Sequence, residues 1–265
     1  MSGHLAFARH LAFEGVENFR DYGDYATASG RHLKRGQLYR SASHARATDA
    51  DLEAIDALGI AVVVDLRRPG ERERDPSRRS ANFTAQVITN DIGENANDDP
   101  WWNFVRSSDL SEDAFRGYLL NYYREAPFNP RHVDLFSRYF QALANAEGPV
   151  LIHCAAGKDR TGVLAALTHY LVGVHEDDIV ADYLLTNNPE RIAARAPMVA
   201  EVIATETGRT PTDAAVRAAI GVEAEYLEEA FRAIAAQHGG VQAYLVDVLG
   251  VDAALRERLE ARLLA

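Results

Sequence analysis

The chain has 265 residues, 47% hydrophobic and 25% charged, so it can bury a large core and has the composition of an ordinary globular protein. Its net charge of −11 argues against a nucleic-acid binder that relies on bulk positive charge. The single cysteine excludes an internal disulfide, and no apolar run approaches the ~20 residues of a membrane helix. No secretion signal is visible, so we expect a cytoplasmic protein, with export that needs no cleaved signal left open.

The first part of the chain predicts a helix followed by a buried strand, after an N-terminal extension at 1–16 with little readable pattern. Thr48 begins an N-cap signature with Asp51 three residues later, which predicts a helix at about 49–58. The continuous apolar run at 60–64 is typical of a strand that is buried on both faces. This alternation indicates a parallel α/β sheet, whose carboxyl edge commonly binds ligands.

The middle of the chain is expected to be more irregular before two helices begin. Residues 67–79 are rich in charge and predict a solvated loop, 83–89 predict a further strand, and 91–108 are polar and irregular. Ser111 is a suitable N-cap for a helix that ends before the next proline. Asn129 is the N-cap of the following helix, with a proline at its first position.

The last part of the chain predicts a strand at 150–153, a buried helix at 163–172 that is apolar almost all round, and a series of further helices. The later helical patterns cover 176–186, 191–206, 212–219, 223–237, 241–249 and 253–264. The sequence therefore predicts one α/β domain over residues 1–265, with a short, mostly parallel central sheet flanked by helices. Helices at about 187–250 are expected to form a cover or lid.

One stretch, from Val150 to Gly162, combines a strand, a glycine-containing loop and the start of a helix. Cys154 lies where the loop begins, and a thiol near a helix N-terminus and an arginine is favoured as the thiolate. Arg160 completes a Cys-x5-Arg spacing, and its guanidinium fork matches the geometry of a phosphate. The residues whose backbone is expected to surround the same anion are Ala155, Ala156, Gly157, Lys158, Asp159 and Arg160.

Cleavage of a phosphate ester through a cysteine needs a nucleophile, a cationic clamp, an acid for the leaving oxygen and an activated water. Cys154 and Arg160 fill the first two roles. Thr161 follows the arginine, and its hydroxyl can donate to the cysteine sulfur when a phosphocysteine breaks down. His153 is expected to order the loop by hydrogen bonding. None of these roles calls for a metal ion or another cofactor.

The sequence from His153 to Gly162, His-Cys-x-x-Gly-Lys-x-Arg-Thr-Gly, resembles the signature of the Cys-x5-Arg protein tyrosine phosphatase superfamily. With Asp159 before the arginine, it is similar to the bacterial tyrosine/serine and phosphoinositide phosphatases that include the secreted phosphatase B of mycobacteria. Further stretches that look like this family lie at 18–21, 36–41, 58–60, 64–67, 183–187 and 239–250. The resemblance covers about residues 17–258. It implies a protein tyrosine phosphatase-like fold and hydrolysis of phosphotyrosine proteins, with phosphoserine and phosphothreonine as further substrates and inorganic phosphate as product.

Three aspartates are candidates for the general acid, because the sequence lacks the separate Trp-Pro-Asp loop of many tyrosine phosphatases. Asp159 lies inside the loop, as in the myotubularin-like and Sac-like lipid phosphatases whose signature it resembles. Asp65 lies at the C-terminus of a strand, a good position for a catalytic carboxylate. Asp99 precedes a Pro-Trp pair, which has the right residue types in another order. Asp159 could instead form a structural salt bridge, and Asp65 could be a buried partner of Arg20 or Arg40.

Lys158 bears on the choice of substrate. A lysine inside the loop adds positive charge to the floor or wall of the pocket, and the resemblance implies that such charge serves the ring phosphates of phosphoinositides. The alternative for Lys158 is simple solvation at the rim. A phosphoinositide phosphatase and a non-catalytic phosphate-binding module are the alternative functions, but an inactive module normally loses Cys154 or Arg160, and this chain keeps both.

Overall fold

The structure, a computed structural model, describes residues 9–93 and 99–265 and shows one central sheet in these ranges. The strands are β1 (Arg20–Asp21), β2 (Leu38–Ser41), β3 (Val62–Asp65), β4 (Gln86–Ile88) and β5 (Val150–His153). Their order is β1-β2-β5-β3-β4, with β1 antiparallel to β2 and the other neighbours parallel. The predicted short, mostly parallel sheet is confirmed. The first eight residues of the predicted N-terminal extension lie outside the described residues.

Helices flank the sheet on both faces, as predicted. Those of the described ranges are α1 (Asp49–Asp56), α2 (Pro69–Arg74), α3 (Pro100–Ser107), α4 (Glu112–Glu125), α5 (Pro130–Asn145), α6 (Asp159–Leu171), α7 (Glu176–Leu184), α8 (Pro189–Thr207), α9 (Asp213–Ile220), α10 (Ala224–His238), α11 (Val241–Asp247) and α12 (Ala253–Leu263). Thr48, Ser111 and Asn129 each accept a hydrogen bond from a backbone N–H of the first turn, so these three predicted N-caps are confirmed. In the part of the chain that the structure describes, no helix has the length and apolar character needed to cross a membrane.

The carboxyl ends of three neighbouring strands lie side by side. Ser41 of β2 pairs with His153 of β5, and His153 pairs in turn with Asp65 of β3. The chain leaves β5 at Cys154 and enters α6 at Asp159, so the intervening loop crosses this edge of the sheet. Ligands of open α/β sheets bind outside the carboxyl ends of the strands, which makes this edge the first place to look for a site.

α6 is the central helix of the main core. Its residues 161–169 are all buried, as the apolar pattern predicts, and it lies between the sheet and helices α7, α10 and α11. The other face of the sheet is covered by α1, whose Leu52 and Ile55 cluster with Val63 and Leu151. Burial on both faces explains why the strands read as continuous apolar runs rather than as alternating ones.

The segment at 67–79 is only in part the solvated loop that its charge predicts, since the exposed loop is confined mainly to residues 75–79. It contains α2, and Arg67 and Glu71 are only 2% and 7% exposed. A proline occupies the first position of α2, and Glu71 accepts a hydrogen bond from the Arg68 N–H at 2.7 Å, which caps the helix. These charges are buried because each is paired with an opposite charge, a long-range effect that composition does not reveal.

α3 also replaces part of a stretch that was expected to be irregular. Asp99 caps its N-terminus by accepting the Trp102 N–H at 3.3 Å, and a proline fills the first helical position. Trp101 packs against Phe115 of α4, with ring centroids 5.7 Å apart, so the short helix has an apolar face to bury. Residues 94–98 of the same stretch lie outside the described residues.

The expected cover at 187–250 separates into two groups of helices. α8 and α9 join α3 and α4 in an apolar cluster that includes Ile203, Val216 and Ile220. α10 and α11 contribute instead to the main core, where Tyr226 and Tyr244 are fully buried. The cavity above the loop that follows β5 is therefore lined by α8 and α9 rather than by the whole segment.

Candidate active site

The loop between β5 and α6 is held against the end of β2 by a glycine. Gly157 has a φ of +65°, in the left-handed region, and a Cβ at this position would lie 2.4 Å from the carbonyl carbon and oxygen of Ser41. Both the conformation and the space therefore demand glycine. The close approach fixes the position of the loop that begins at Cys154, which is 2% exposed.

The carbonyl groups of the loop point away from its concave side. The Gly157 carbonyl accepts hydrogen bonds from Asn18 Nδ2 at 2.8 Å and from Arg40 Nη2 at 3.1 Å, and the Ala155 carbonyl accepts one from the Ser43 N–H at 3.1 Å. The C=O and N–H of a trans peptide point in opposite directions. The amides that follow these carbonyls therefore point into the loop, where they can donate to an anion.

A fully buried ion-pair network supports the loop from behind. Arg40 Nη1 donates to Asp182 Oδ2 at 2.8 Å, and Arg20 Nε lies 3.5 Å from Asp182 Oδ1. Burial alone would raise the pKa of Asp182, but the two guanidiniums hold it well below its usual range, so the carboxylate stays charged. Arg20 also donates to Asn18 Oδ1 at 2.6 Å, which turns the Asn18 amide nitrogen toward the loop.

Arg160 is fixed by Glu71 and keeps one edge free. Its Nη1 donates to Glu71 Oε2 at 2.6 Å and to the Leu66 carbonyl at 3.1 Å, and its Nη2 donates to Glu71 Oε1 at 2.8 Å. Of the five N–H groups of a guanidinium, Nε–H and one Nη2–H thus have no partner among the described residues. These two groups form a fork that fits two phosphate oxygens. Burial opposes ionisation of Glu71, but the Arg160 charge outweighs it and lowers the pKa of Glu71 to about 2.

A cavity of about 810 Å³ lies above the loop, and Cys154 is among the residues that line it. α3 and α4 form one wall, which includes Trp101 and Tyr122. α8 forms the facing wall, which includes Arg191 and Val202. The cavity is large enough for a phosphorylated side chain, with apolar surface for an aromatic ring and cationic groups for its phosphate.

Asp159, the first residue of α6, borders the same cavity as Cys154. Its side chain is 19% exposed, Oδ1 accepts a hydrogen bond from Tyr123 Oη at 2.9 Å, and Lys158 Nζ lies 3.8 Å from the same oxygen. The structure therefore brings together the nucleophile candidate, the guanidinium and Asp159, which is one of the two acid candidates that border this cavity.

Asp65 is placed differently. It is 3% exposed, does not border the cavity in the described structure, and binds Arg67 through Nε at 2.9 Å and Nη2 at 2.7 Å. Burial would raise its pKa, but His153 and Arg67 hold that pKa well below the usual range. Burial lowers the pKa of His153 to about 4, so at neutral pH the charged partner is Arg67. The expected pairing of Asp65 with Arg20 or Arg40 is wrong, because both bind another carboxylate.

Asp99 lies at the mouth of the cavity. Besides capping α3, its Oδ1 lies 3.0 Å from Arg68 Nη2 and its Oδ2 lies 3.4 Å from Arg74 Nη1. Both oxygens are thus engaged by cations.

Lys158 is buried rather than solvated at the rim. It is 5% exposed, and its Nζ donates to the Ala219 carbonyl at 2.6 Å and to the Gly221 carbonyl at 3.2 Å. These carbonyls lie at the C-terminal end of α9, which favours a cation there. Burial lowers the pKa of Lys158, and the neighbouring Asp159 opposes that effect. The lysine borders the cavity and ties the loop to α9.

Thr161 and His153 flank the loop and are both fully buried. Thr161 Oγ1 has no hydrogen-bond partner among the described residues, so its donation to the sulfur of Cys154 stays a prediction. The His153 ring stacks on that of His44, with centroids 5.1 Å apart. Within the described ranges, no group of three or more His, Cys, Asp or Glu side chains is arranged to hold a metal ion.

Sequence reasoning did not identify Glu71 or Asp182 as parts of the site. Glu71 follows a proline by two positions, a capping signal, but it lies in a stretch whose charge suggested solvent. Asp182 is three residues from Ile179 and therefore lies on the buried face of α7. An acidic residue on an apolar helix face is a signal of a buried ion pair, because such a residue is rarely buried unpaired.

Comparison with known proteins relates the chain to phosphatases over nearly its whole length. The tyrosine phosphatase family model matches residues 11–265. A Cupriavidus necator protein named as a tyrosine-protein phosphatase is 36% identical over 250 residues, which cover 93% of this chain and 86% of that protein. The triple specificity protein phosphatase PtpB of Mycobacterium tuberculosis is 34% identical, over 94% of this chain and 97% of that protein. A tyrosine-protein phosphatase of Nostoc commune is 30% identical, over 84% of this chain and 73% of that protein.

Proposed function

The chain belongs to the tyrosine phosphatase family, and we propose that it hydrolyses phosphate monoesters through a phosphocysteine formed on Cys154. The observation that supports the proposal most directly is the position of Cys154 at the base of an inward-facing loop, in a cavity shared with the free edge of Arg160. Loop amides and a guanidinium fork can stabilise the charge that develops on the transferred phosphoryl group.

The reaction proceeds in two displacements. The Cys154 thiolate attacks phosphorus, a P–S bond forms, and the P–O bond to the alcohol breaks while Asp159 gives its proton to the leaving oxygen. Water then attacks phosphorus, Asp159 takes up the water proton, and the P–S bond breaks to release inorganic phosphate. The Thr161 hydroxyl is proposed to stabilise the sulfur as it leaves.

We propose Asp159 as the general acid rather than Asp65 or Asp99. Asp159 borders the cavity and is partly exposed, so a leaving oxygen can reach it. Asp65 is buried away from the cavity against Arg67, which keeps it ionised, and an ionised carboxylate has no proton to give. Asp99 is held at the cavity mouth by two arginines and caps a helix.

Phosphotyrosine in proteins is the substrate that we propose first. The aromatic and aliphatic walls of the cavity suit an aryl ester, and the relative in Mycobacterium tuberculosis is named for triple specificity, which supports phosphoserine and phosphothreonine as further substrates. Phosphoinositides are the second candidate, because Arg46, Arg191 and Arg195 border the cavity of a chain whose net charge is −11. A cytoplasmic location stays a prediction.

Turnover of p-nitrophenyl phosphate by the wild type and by Cys154→Ser and Arg160→Ala tests the proposal. Each substitution should lower turnover by about 1,000-fold or more while circular dichroism and thermal unfolding show a folded protein. Turnover should be unchanged by EDTA. Normal activity of Arg160→Ala would contradict the mechanism, and binding of phosphotyrosine peptides without any turnover would favour the non-catalytic module.

A further inference from the structure

Two buried tyrosines form a hydrogen-bonded chain to Asp159. We propose that Tyr123, which is hydrogen-bonded to Tyr183, is a positioning residue that orients the Asp159 carboxyl group for proton transfer. The inference rests on the proposed function, because it takes Asp159 as the general acid. Neither tyrosine belongs to the Cys154 loop: Tyr123 lies on α4 and Tyr183 on α7.

The two hydroxyls form a chain with one direction. Tyr123 Oη donates to Asp159 Oδ1 at 2.9 Å. The Tyr123 hydroxyl oxygen also lies 2.6 Å from Tyr183 Oη. A tyrosine hydroxyl has one proton. Since Tyr123 gives that proton to the carboxylate, Tyr183 has to donate to Tyr123. A hydroxyl that is itself a hydrogen-bond acceptor becomes a stronger donor, so Tyr183 strengthens the bond to Asp159.

Both rings are locked in place by their packing. Tyr123 and Tyr183 are 0% and 1% exposed. The Tyr123 ring stacks on that of Tyr226 in α10, with centroids 5.7 Å apart and an interplanar angle of 29°. Gly162 lies so close to Tyr183 that a Cβ there would be 2.8 Å from its Cε2 atom. A donor held this rigidly can fix the rotation of the Asp159 carboxyl group.

The contacts of the carboxylate are confined to one oxygen. Tyr123 and the more distant Lys158 ammonium both face Oδ1. Oδ2 accepts no hydrogen bond from any described residue, so it is the oxygen that can carry the proton to the leaving group. Burial raises the pKa of Tyr123 well above its ordinary value, so this hydroxyl remains a donor throughout the working pH range.

Other ionisable groups face Asp159 from the surrounding elements. They are Lys158 of the loop, Tyr118 and Tyr122 of α4, Tyr183 of α7, Arg191 of α8 and Tyr226 of α10. All of them stay in place when the Tyr123 hydroxyl alone is removed. A fall in kcat of Tyr123→Phe therefore reports the missing hydrogen bond.

The test compares Tyr123→Phe with the wild type on an aryl and an alkyl phosphate. We expect kcat for the alkyl phosphate to fall about tenfold, the effect of losing one hydrogen bond to a charged group, and kcat for the aryl phosphate to change far less. KM for both substrates should change little, because Tyr123 is not among the described residues that border the cavity. Tyr244→Phe is the matched control, since that buried hydroxyl donates to the Pro127 carbonyl instead.

A double-mutant cycle separates positioning from mere packing. If Tyr123 acts through Asp159, then Tyr123→Phe should have no further effect on kcat in an Asp159→Asn background. Equal losses in both backgrounds, equal losses on aryl and alkyl substrates, or wild-type activity of Asp159→Asn would overturn the inference. An inactive wild type, or full turnover by Cys154→Ser, would instead overturn the proposed function.

Discussion

In the proposed mechanism Arg160 binds the phosphate, which requires a fixed orientation of its guanidinium, and Glu71 is the residue that holds it. The two side chains share two short hydrogen bonds, and both are at least partly shielded from water. A bidentate pair of this kind fixes the plane of the guanidinium as well as its charge. The phosphate fork therefore depends on a residue that lies outside the Cys-x5-Arg motif.

Replacing Glu71 by glutamine should lower kcat/KM for p-nitrophenyl phosphate by about 10- to 100-fold, because the amide accepts only one of the two hydrogen bonds and leaves Arg160 less well oriented. Glu73→Gln on the exposed side of the same helix is the matched control. Steady-state kinetics of both variants check the prediction. Equal effects of the two substitutions would show that Glu71 acts only through overall charge.

The candidate phosphate-binding loop could be located from sequence because its parts are contiguous. Cys154, Arg160 and the amides between them lie within seven positions of each other, so their spacing alone indicates a phosphate cradle. The partners of these groups were not predictable in the same way. Glu71 and Asp182 reach the loop from other elements, and a local pattern does not specify which charges meet in the folded chain.

At the scale of elements, the loop is positioned by its contact with the end of β2. Gly157→Ala would place a methyl group 2.4 Å from Ser41 at a φ of +65°. We expect the displaced loop to lose about 100-fold in kcat/KM, because small shifts of reacting groups are costly. Gly30→Ala has a similar φ of +79° but no atom within 4 Å of the added methyl group. This control should lose only about 1 kcal/mol of stability and keep its activity.

Steady-state kinetics and denaturant unfolding of Gly157→Ala and Gly30→Ala test whether the close approach positions the loop. An active Gly157→Ala enzyme, or an equal loss of activity in Gly30→Ala, would show that the close approach to Ser41 does not position the loop.

Helices whose signals are local were predicted well, whereas α2 and α3 were not predicted. Side-chain caps and 3.6-residue apolar spacing identify α4 and α5 from sequence alone. α2 and α3 are stabilised largely by contacts with other elements. Glu71 of α2 binds Arg160, and Trp101 of α3 packs on α4. Tertiary contacts of this kind override a polar composition.

At the scale of the whole molecule, burial of neutral histidines links stability to pH. His44, His132, His153 and His169 are all buried, and burial lowers the pKa of each, to about 3 for His132 and about 4 for His153. The unfolded chain protonates these rings near pH 6.5, whereas the folded protein keeps them neutral. The unfolded state therefore binds more protons, and stability falls as the pH drops below about 6.5.

Between pH 7 and 5.5 the free energy of unfolding should fall by about 1 kcal/mol for His132 and by about the same for His153, with His44 and His169 acting in the same direction. Denaturant titrations across this range measure the slope. His132→Gln keeps a donor for the Ala126 carbonyl, which the His132 Nδ1 contacts at 2.8 Å, and should remove the contribution of His132 to the slope. His175→Gln, at an exposed position, should leave it unchanged. A flat profile from pH 7 to 5.5 would contradict this account.

The sequence predicts the overall architecture better than it predicts which helices and side chains contact each other inside it. Alternating helix and strand patterns, together with the family resemblance, predicted a short, mostly parallel sheet with flanking helices, and the structure confirms it. The division of the C-terminal helices was not predictable, because α8 and α10 carry similar patterns of apolar residues. Only the three-dimensional arrangement shows that one lines the cavity and the other enters the main core.

The central claim is that a phosphoryl group passes through the sulfur of Cys154. Acid quenching during steady-state turnover of a phosphotyrosine peptide, followed by mass spectrometry of the intact protein and its peptides, tests it directly. The account predicts a protein heavier by one phosphoryl group, with the added mass on the peptide that contains Cys154 and none in Cys154→Ser. Turnover by the wild type with the added mass on another residue, or turnover that persists in Cys154→Ser, would contradict the claim.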